Sequence, residues 1–572
     1  MNTNINYAWS VAFVKRLEKL GVRNVCLSPG SRNTPLTLAF AESKKIKNRV
    51  FVDERASAFF ALGLAKQSGK PVAIVTTSGT ATAELYPAII EAFQTCAPLL
   101  VCTADRPAYL RNTGANQTIN QENIYRNHIR AFFDLRLPKE SEARFSRLIK
   151  ITDKAYFTAL AEGPVHLDFP FEKPLEPHSY NATLPEGFLE KFVSAPIEEP
   201  RFRELKIPKT ILKKIEKSRK ALILLGGNLS ASTNAVIIKA AKKLEIPVIA
   251  DGISSARFTG KARNVIAYGA TILRAETEKF QPDLILSFGK APTTNSVLRF
   301  YEESKAYKIL VNEKGNVHDP TRTHDAFVKA NESDFADFIA ENIVPKEKDF
   351  LRTFVHAENL TEELVAEFLK KEKLSFEGKV ARVLIDALPP KTNLFIGNST
   401  PPRDVDFFSG KSDKKIKVYS NRGASGIDGL IASATGVAVN SKTRTFLYLG
   451  DLSFFYDLTF LYYLKKLAVP LTIILQNNNG GGIFNMLPVA ERKKGFEKYF
   501  KTPLEVNFAK IIQSFEIPYF IAETETDLTK SIEKSSENAP AIIEIETDAE
   551  YSARARKKFF EEATKKIENT FS

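Results

Sequence analysis

Two short apolar segments late in the chain, separated by a helical pattern, constrain the fold more than any other feature. Residues 445–449 and 471–475 each have the length and composition of a buried strand. Between them, residues 456–467 carry apolar side chains at helical spacing. A strand, a crossover helix and a second strand form a unit whose two strands run parallel. The sequence therefore predicts an α/β fold built on parallel sheets.

Polar residues follow both of these predicted strands. Gly450 and Asp451 come directly after the first strand, and three asparagines and three glycines, residues 477–482, follow the second. Because the carboxyl ends of parallel strands meet at one edge, the side-chain oxygens of Asp451 and Asn478 can converge on one Mg²⁺. The glycines let the backbone approach a ligand closely. One such turn alone is explained more simply as a chain reversal, but two turns on consecutive strands predict a joint site for a metal ion and a diphosphate.

The composition is that of a globular protein without membrane spans. Hydrophobic residues make up 44% and charged residues 26% of the 572 residues, and no apolar stretch approaches the ~18 residues that cross a bilayer. The three cysteines, Cys26, Cys96 and Cys102, are too few for a disulfide framework and are predicted to be buried apolar residues. We expect a cytoplasmic protein that does not insert into membranes.

The net charge of +14 comes from lysines and arginines that are scattered along the chain. No short block combines basic and aromatic residues as nucleic-acid-binding modules do. A basic surface of this kind also attracts small polyanionic ligands. We therefore expect anionic small molecules, and no nucleic acid, as partners.

Strand and helix patterns alternate in three blocks, which predicts three doubly wound parallel-sheet domains at 1–180, 205–345 and 360–572. Residues 177–208, which carry several prolines and glutamates, are predicted to be a linker. The predicted strands are 22–27, 50–52, 72–76, 99–103 and 165–169 in the first block, 221–225, 247–250, 284–288 and 309–311 in the second, and 393–396, 417–419, 444–449, 471–476 and 541–545 in the third.

The first block presents polar groups where four predicted strands end. The loop 28–35 offers hydroxyls, backbone N–H groups and one guanidinium to an anion, although it also fits a helix start capped by Thr34 with Pro35 in the first turn. Glu54 follows the second strand, where a helix-dipole partner is the simpler explanation. Small hydroxyl residues around Ser78 and an acid–arginine pair ending in Arg106 follow the next two strands. Helix capping alone does not require so many polar strand ends.

Taken together, segments 28–35, 52–62, 77–87, 103–107, 114–121, 420–429 and 450–487 resemble the thiamine-diphosphate enzymes. Among them, the chain is similar to the carboligase of menaquinone biosynthesis that joins 2-oxoglutarate to isochorismate. One difference is Leu452, where the family usually has glycine after Gly-Asp. The resemblance implies a pyrimidine-binding domain, a central Rossmann-like domain and a diphosphate-binding domain. It also implies a homodimer or a dimer of dimers, with active sites at the subunit interface.

The resemblance further implies the reaction and its residues. 2-Oxoglutarate loses CO₂, and the resulting succinyl carbanion adds to isochorismate, with thiamine diphosphate and Mg²⁺ (or Mn²⁺) as cofactors. The implied catalytic residues are Glu54, Arg32 and Gln117. The implied cofactor contacts are Glu54, Ser78, Gly79, Ile427, Gly450, Asp451, Leu452, Ser453, Asn478, Gly480, Gly481 and Ile483, of which Asp451, Asn478 and Gly480 bind the metal. The implied substrate contacts are Ser31, Arg32, Arg106, Asn116, Gln117, Lys290, Asn295, Arg403, Arg422, Ile483, Phe484 and Leu487.

Some alternatives stay open at this point. The family places a lysine of the central block near the substrate, and here either Lys290 or Asn295 occupies the corresponding region. Gly226-Gly227 is interpreted as a remnant of a dinucleotide loop without a bound flavin. Another thiamine-diphosphate carboligase or decarboxylase would share Glu54, Asp451 and Asn478 but would not need the arginines. A catalytically silent subunit would not need Glu54.

Overall fold

The computed structural model describes residues 2–199, 207–344, 346–492 and 494–572. Within these residues the chain forms three six-stranded parallel sheets and a two-stranded antiparallel sheet. The three parallel sheets confirm the predicted α/β class. By internal contacts the chain divides into two compact units: unit 1 comprises the chain up to residue 202 together with 421–441, and unit 2 comprises the remainder. The predicted limits of three domains stay a prediction.

The first parallel sheet belongs to unit 1. The strands of this part are β1 (Asn2–Thr3), β2 (Asn24–Ser28), β3 (Lys47–Val50), β4 (Val72–Thr76), β5 (Leu99–Asp105), β6 (Ala131–Asp134), β7 (Val165–Pro170) and β8 (Ala182–Thr183). The helices are α1 (Ile5–Leu20), α2 (Thr34–Ala41), α3 (Glu54–Ser68), α4 (Thr80–Glu84), α5 (Tyr86–Thr95), α6 (Glu142–Glu162) and α7 (Phe188–Val193). The sheet order is β3-β2-β4-β5-β7-β6, and β1 pairs with β8.

The second sheet lies in unit 2 and has the order β11-β10-β9-β12-β13-β14. Its strands are β9 (Ala221–Leu225), β10 (Val248–Ala250), β11 (Val265–Ile266), β12 (Leu284–Phe288), β13 (Tyr307–Val311) and β14 (Ala326–Val328). The helices of this part are α8 (Lys209–Lys217), α9 (Ala231–Lys243), α10 (Gly269–Ile272), α11 (Asn295–Glu303), α12 (Glu332–Asn342) and α13 (Lys348–Lys371). This 3-2-1-4-5-6 strand order is that of dinucleotide-binding folds.

The third sheet has the order β16-β15-β17-β18-β20-β19, the same relative order as the first. Its strands are β15 (Asn393–Ile396), β16 (Lys417–Ser420), β17 (Thr445–Gly450), β18 (Leu471–Asn477), β19 (Tyr519–Ile521) and β20 (Ala541–Glu546). The helices are α14 (Glu377–Ala387), α15 (Pro401–Phe408), α16 (Leu430–Val439), α17 (Asp451–Tyr456), α18 (Leu461–Leu467), α19 (Phe508–Ser514), α20 (Glu525–Lys534) and α21 (Ala549–Phe571).

Helix α16 packs on α3 in unit 1, although it lies between β16 and β17 in the chain. The two helices approach so closely that a Cβ at Gly63 would lie 2.0 Å from the Ser433 carbonyl oxygen, and one at Gly436 would lie 2.2 Å from the Phe60 carbonyl oxygen. The Ser433 hydroxyl donates to the Phe59 carbonyl at 3.1 Å. Glycine is required at such a crossing because any side chain would separate the helices.

Three predictions about elements were wrong in detail. The strand predicted at 50–52 lies at Lys47–Val50, because its exposed polar residues hide it in the sequence. The single helix predicted at 456–467 is divided into α17, a 3-10 turn at Leu458–Phe460 and α18. The predicted linker 177–208 contains β8 and α7, and residues 200–206 of it lie outside the described residues.

The composition predicts buried cysteines and no membrane-spanning segment. The three cysteines are buried, as predicted, and none of them forms a disulfide within the described residues. Among the described residues, no helix is both long enough and apolar enough to cross a membrane.

Candidate active site

Asp451 links the ends of two neighbouring strands in unit 2. Strands β17 and β18 pair in parallel as far as Gly450 and Gln476, so the residues after them lie side by side. Oδ2 of Asp451 accepts a hydrogen bond from the Gly480 backbone N–H at 2.6 Å, and Oδ1 accepts one from the Leu452 N–H at 2.8 Å. The two turns singled out from the sequence thus meet at one carboxylate.

The three asparagines 477–479, which end and follow β18, have three different sets of partners. Asn477 donates from Nδ2 to Glu544 at 2.6 Å and accepts from the Asn479 N–H at 3.0 Å. Asn479 accepts the backbone N–H groups of the chain at 504 and 505, both at 3.1 Å. Asn478 donates from Nδ2 to Glu377 at 2.6 Å, but its Oδ1 is buried without a hydrogen-bond partner. A buried polar atom without a partner is unfavourable unless a ligand supplies one.

The glycines that follow keep this site compact. Gly480 has φ +133°, and a Cβ there would lie 2.2 Å from the Lys501 carbonyl oxygen. A Cβ at Gly482 would lie 2.4 Å from Nδ2 of Asn478. The Gly480 carbonyl, a predicted metal ligand, accepts the Gly482 N–H at 2.9 Å, which leaves its second lone pair for a ligand.

The electrostatics and the donor set of this site suit a hard divalent cation. Burial raises the pKa of the Asp451 carboxyl to about 6; hydrogen bonds from the Gly480 and Leu452 backbone oppose the shift, and the charge of Glu377 adds to it. Within the described residues, no group of three or more His, Cys, Asp or Glu side chains is arranged to bind a metal. One carboxylate, one amide oxygen and one backbone carbonyl are instead the oxygen donors that Mg²⁺ uses when phosphates complete its coordination.

A short 3-10 helix, Gly482–Met486, carries further predicted contacts. Ile483 and Phe484 are half-buried, and the Phe484 ring meets Phe500 edge-to-face with centroids 5.7 Å apart. Leu487 is 46% exposed at the end of this turn. Gly481 and Ser453 are buried, and the Gly481 N–H donates to the Lys501 carbonyl at 2.6 Å. This part of the site therefore presents apolar surface beside the polar strand ends.

In unit 1, the residues predicted around Ser78 come together after β4 and β5. Gln117 Nε2 donates to the Ser78 carbonyl at 3.1 Å, and the Ser78 hydroxyl donates to the Gln117 carbonyl at 3.2 Å. Arg106 donates to the Ser78 hydroxyl oxygen. The Gly79 N–H donates at 3.0 Å to Gln121, which is itself held by Asp168. These reciprocal contacts fix the turn 78–79.

Arg32 and Arg106 place two positive charges near each other. Burial lowers the pKa of the Arg32 guanidinium, and the charge of Arg106 lowers it further. Arg32 donates from Nη1 to the Phe171 carbonyl at 2.7 Å, whereas its Nε is buried without a hydrogen-bond partner. Two neighbouring guanidiniums with an unused donor form a natural site for a carboxylate.

The loop that carries Arg32 is held by Asn33. Its Oδ1 accepts the Gly30 N–H at 2.8 Å, and its Nδ2 donates to the Ser28 carbonyl at 3.0 Å. The alternative explanation, a helix start capped by Thr34, does not hold: Asn33 is at the N-cap position of α2, and Thr34 is the first helical residue. Asn33 thus bonds the loop rather than the helix end, and the Thr34 hydroxyl donates to the Ser31 carbonyl at 2.8 Å.

Glu54 is the first residue of α3 and is half-buried. Burial raises the pKa of its carboxyl; a backbone hydrogen bond opposes the shift, and the charges of Asp53 and Glu84 add to it. The raised pKa has the direction expected of a carboxyl that exchanges a proton near neutral pH. The helix-cap role belongs to Asp53, whose side chain accepts the Ala56 N–H.

Residues 421–429, the arginine loop, carry Arg422 and Ile427 and are bound to α5. The two carboxylate oxygens of Glu91 accept the backbone N–H groups of Gly423 and Ala424 at 3.0 and 2.7 Å. Ile427 remains 36% exposed, and Arg422 is half-buried. The anchoring of this loop runs through its backbone, and the Ile427 side chain remains exposed for a ligand.

The remaining predicted residues are not brought into these groups by the described contacts. Arg403 donates to the Ser399 carbonyl at 2.6 Å on the first turn of α15. Ser31, Asn116 and Asn295 are exposed, and Lys290 is half-buried. A Cβ at Gly226 would lie 1.9 Å from the Lys290 carbonyl oxygen, so this glycine permits a close chain crossing.

The sequence did not point to the side chains that support the site from behind. These are Glu377, Arg556 and Asp404 beside Asn478, Gln121 and Asp168 beside Gly79, and Glu91 with Lys66 beside the arginine loop. Apart from Gln121, at the end of segment 114–121, none lies in a segment singled out from the sequence, because the partners are distant in the chain.

Comparison with known proteins assigns this arrangement to a class. Residues 9–124 match the family described as thiamine pyrophosphate enzyme, N-terminal TPP binding domain, and residues 411–545 match its C-terminal TPP binding domain. The fold resembles that of benzoylformate decarboxylase from Polynucleobacter necessarius, with a TM-score of 0.72 and 17% identity, over 96% of this chain and 99% of that one. Fold and matched domains together define a thiamine-diphosphate enzyme.

Relatives that match over nearly the full length identify the family within this class. The 2-succinyl-5-enolpyruvyl-6-hydroxy-3-cyclohexene-1-carboxylate synthase of Bacillus cytotoxicus is 34% identical over 98% of this chain and 97% of the relative. The synthases of the same name from Listeria monocytogenes and Geobacillus kaustophilus are 36% and 34% identical, over 94% and 98% of this chain and the same shares of those proteins. The chain belongs to this synthase family.

Proposed function

We propose that this enzyme removes CO₂ from 2-oxoglutarate and adds the remaining succinyl unit to isochorismate, in menaquinone biosynthesis. The product is 2-succinyl-5-enolpyruvyl-6-hydroxy-3-cyclohexene-1-carboxylate, the compound in the names of its relatives. The observation that most directly supports this reaction is the Arg32–Arg106 pair, since both substrates are dianions. A decarboxylase acting on a neutral or singly charged substrate has no need for two adjacent guanidiniums.

The cofactor and metal would occupy the strand ends of unit 2. Asp451, the Asn478 amide oxygen and the Gly480 carbonyl would hold Mg²⁺ (or Mn²⁺), and the buried unpartnered Oδ1 of Asn478 favours this assignment. Gly450, Leu452, Ser453 and Gly481 would line the diphosphate side. When bound, thiamine diphosphate supplies the electron sink that decarboxylation of a 2-oxoacid requires.

Glu54 would act as the general acid–base group of the site. Its carboxyl, with a raised pKa, would hold or release a proton at its oxygen when the cofactor is bound. Ser78, Gly79 and Ile427 would line the same part of the cofactor. The hydrogen bonds that fix residues 78 and 79 keep this wall rigid without using Glu54.

The substrate carboxylates would be held by arginines and amides. Arg32 and Arg106, with Gln117, Ser31 and Asn116, form the unit 1 part of this set, and Arg403 and Arg422 add further positive charge. Ile483, Phe484 and Leu487 would cover the apolar portion and exclude water. Either Lys290 or Asn295 would supply the substrate contact that the family makes with a lysine of its central block.

The resemblance to the family also bears on the oligomeric state. We infer a homodimer or a dimer of dimers whose active sites each take residues from two subunits, in the cytoplasm. The domain limits 1–180, 205–345 and 360–572 would correspond to pyrimidine-binding, central and diphosphate-binding domains.

The test is an assay with purified protein, thiamine diphosphate, Mg²⁺, 2-oxoglutarate and isochorismate, following the loss of isochorismate. We expect loss only when every component is present. Release of CO₂ without loss of isochorismate would remove isochorismate as the acceptor. Absence of any reaction in protein that binds the cofactor would favour another oxoacid donor or a catalytically silent subunit.

A further inference from the structure

The carboxylate of Glu377 determines which way the Asn478 side-chain amide points. A side-chain amide has a donor end and an acceptor end that differ little in shape, so its orientation is set by its partners. Glu377 Oε1 accepts Nδ2 of Asn478 at 2.6 Å. An ionised carboxylate only accepts hydrogen bonds, so the nitrogen must face Glu377 and the oxygen must face away from it.

Glu377 is itself held in place on both sides. Its second oxygen accepts a hydrogen bond from Nη2 of Arg556. Arg556 in turn binds Asp404 through Nε at 2.8 Å and Nη2 at 2.7 Å. The backbone N–H of Glu377 donates to the Ser552 hydroxyl at 3.1 Å. All three charged side chains are buried, so the carboxylate cannot turn toward water.

Arg556 determines which atom of the residue at position 377 faces it. A guanidinium has donors and no acceptor, so the residue at 377 must present an acceptor to it. A glutamine at 377 would keep its oxygen toward Arg556 and would turn its NH₂ group toward Asn478. The Asn478 amide would then have to reverse, which would aim its NH₂ group at the position now faced by its oxygen.

A neighbouring contact provides an internal comparison. Asn477 donates to Glu544 over the same distance, 2.6 Å, but Oδ1 of Asn477 is already used by the Asn479 N–H. The two asparagines thus have equivalent carboxylate partners, and of these two only the Asn478 oxygen lacks a partner.

We propose that Glu377 is a positioning residue for the metal, which holds the Asn478 oxygen toward the cation through a buried chain formed with Arg556 and Asp404. This inference rests on the proposed metal ligands Asp451, Asn478 and Gly480. Partners of metal ligands commonly affect affinity by about 10–100-fold when they are removed.

The experiment measures Mn²⁺ affinity by the loss of the free-ion electron paramagnetic resonance signal, in full-length protein with saturating thiamine diphosphate. We expect Glu377→Gln to weaken Mn²⁺ binding about 10–100-fold. Glu544→Gln, which alters the matched contact to Asn477, should leave it unchanged. Equal affinity in wild type and Glu377→Gln, or an equal loss in both variants, would overturn the inference.

A second variant separates orientation from general damage to the fold. When Glu377→Gln is combined with Asn478→Asp, the NH₂ group introduced at position 377 can donate to one oxygen of the new carboxylate while the other faces the cation. We expect this double variant to regain most of the Mn²⁺ affinity lost in Glu377→Gln. A double variant that binds no better would contradict the inference. Failure of wild-type protein to bind Mn²⁺ with the cofactor would instead contradict the proposed metal site itself.

Discussion

Lys66 and Glu91 form a buried ion pair, with Nζ of the lysine 2.9 Å from Oε1 of the glutamate. Their side chains are only 7% and 3% exposed. Lys66 also donates to Oδ1 of Asn421 at 2.8 Å, and Glu91 accepts two backbone N–H groups of the arginine loop. The pair therefore joins α3 and α5 to the loop that carries Arg422 and Ile427.

Replacing Lys66 with methionine should destabilise the protein by about 3–5 kcal/mol, because it leaves the buried Glu91 carboxylate without its counter-charge. Urea denaturation measures the change. Lys15→Met, which breaks the exposed pair with Glu190, should cost no more than about 1 kcal/mol. Similar losses in the two variants would show that burial of the Lys66–Glu91 pair has no special effect.

Glu54→Gln should lower turnover by about 10²–10⁴-fold, because the amide cannot exchange the proton that the carboxyl does. Thermal unfolding should change little, since the helix cap is Asp53. Glu84→Gln removes a nearby charge that raises the pKa of Glu54 and should leave the enzyme active. Full activity in Glu54→Gln would exclude the proposed proton role.

Arg32→Ala should raise the KM for the dianionic substrates by about 10–100-fold, the effect of losing one charge-assisted hydrogen bond of about 1.5–3 kcal/mol. Steady-state kinetics with each substrate varied in turn measure it. Arg299→Ala removes an arginine that is exposed and paired with Glu276 and Glu303, and it should leave KM unchanged. An unchanged KM in Arg32→Ala would separate this arginine from the substrate.

Acid should destabilise the protein partly through His166. Burial lowers the pKa of this imidazole from its usual value of 6.5 to about 3. Between these values the unfolded chain binds a proton that the folded protein does not, so this contribution to stability is complete above pH 6.5 and is lost as pH falls toward 3. The slope from this residue approaches roughly 1.4 kcal/mol per pH unit within the window.

Unfolding free energies measured across this pH window should show a shallower slope in His166→Gln than in wild type. The glutamine amide can still donate to the Thr103 hydroxyl, which lies 2.7 Å from Nε2 of His166. His356→Gln, at an exposed position, is the matched control for replacing an imidazole by an amide. An unchanged slope in His166→Gln would mean that other groups govern the loss in acid.

Gly63→Ala should destabilise the packing of α16 on α3. The new methyl would lie 2.0 Å from the Ser433 carbonyl oxygen, so the helices must separate. Overpacking of this kind costs about 1–3 kcal/mol, and thermal or urea unfolding measures it. Gly260→Ala places a methyl where no atom lies within 4 Å, so no comparable loss should follow. Equal stability of the two variants would contradict this close crossing.

The central strands of each sheet could be predicted from the sequence, whereas several edge strands could not. Strands such as Val72–Thr76 and Ala221–Leu225 are fully buried, and their apolar runs identify them. Strands β6, β11, β14 and β19 were not predicted, and each lies at the edge of its sheet. These strands are two to four residues long. Neither length nor periodicity marks so short a segment.

The same limit applies to the candidate active site. Asp451 and Asn478 could be predicted because each directly follows a recognisable strand. Glu377 could not, because it lies 101 residues from Asn478 in sequence. Arg556 lies 152 residues from Asp404. Each is an isolated charge on a helix, so the partnership exists only in the folded chain.

The position of α16 in unit 1 has a consequence for how the gene of this protein can recombine. The chain leaves unit 1 near residue 202, returns at Asn421 and leaves again after Ser441. A single recombination event between two genes near residue 202 would therefore combine α3 from one parent with α16 from the other. Only hybrids whose parents share the small residues of this crossing would pack correctly, so these two distant stretches are expected to evolve together.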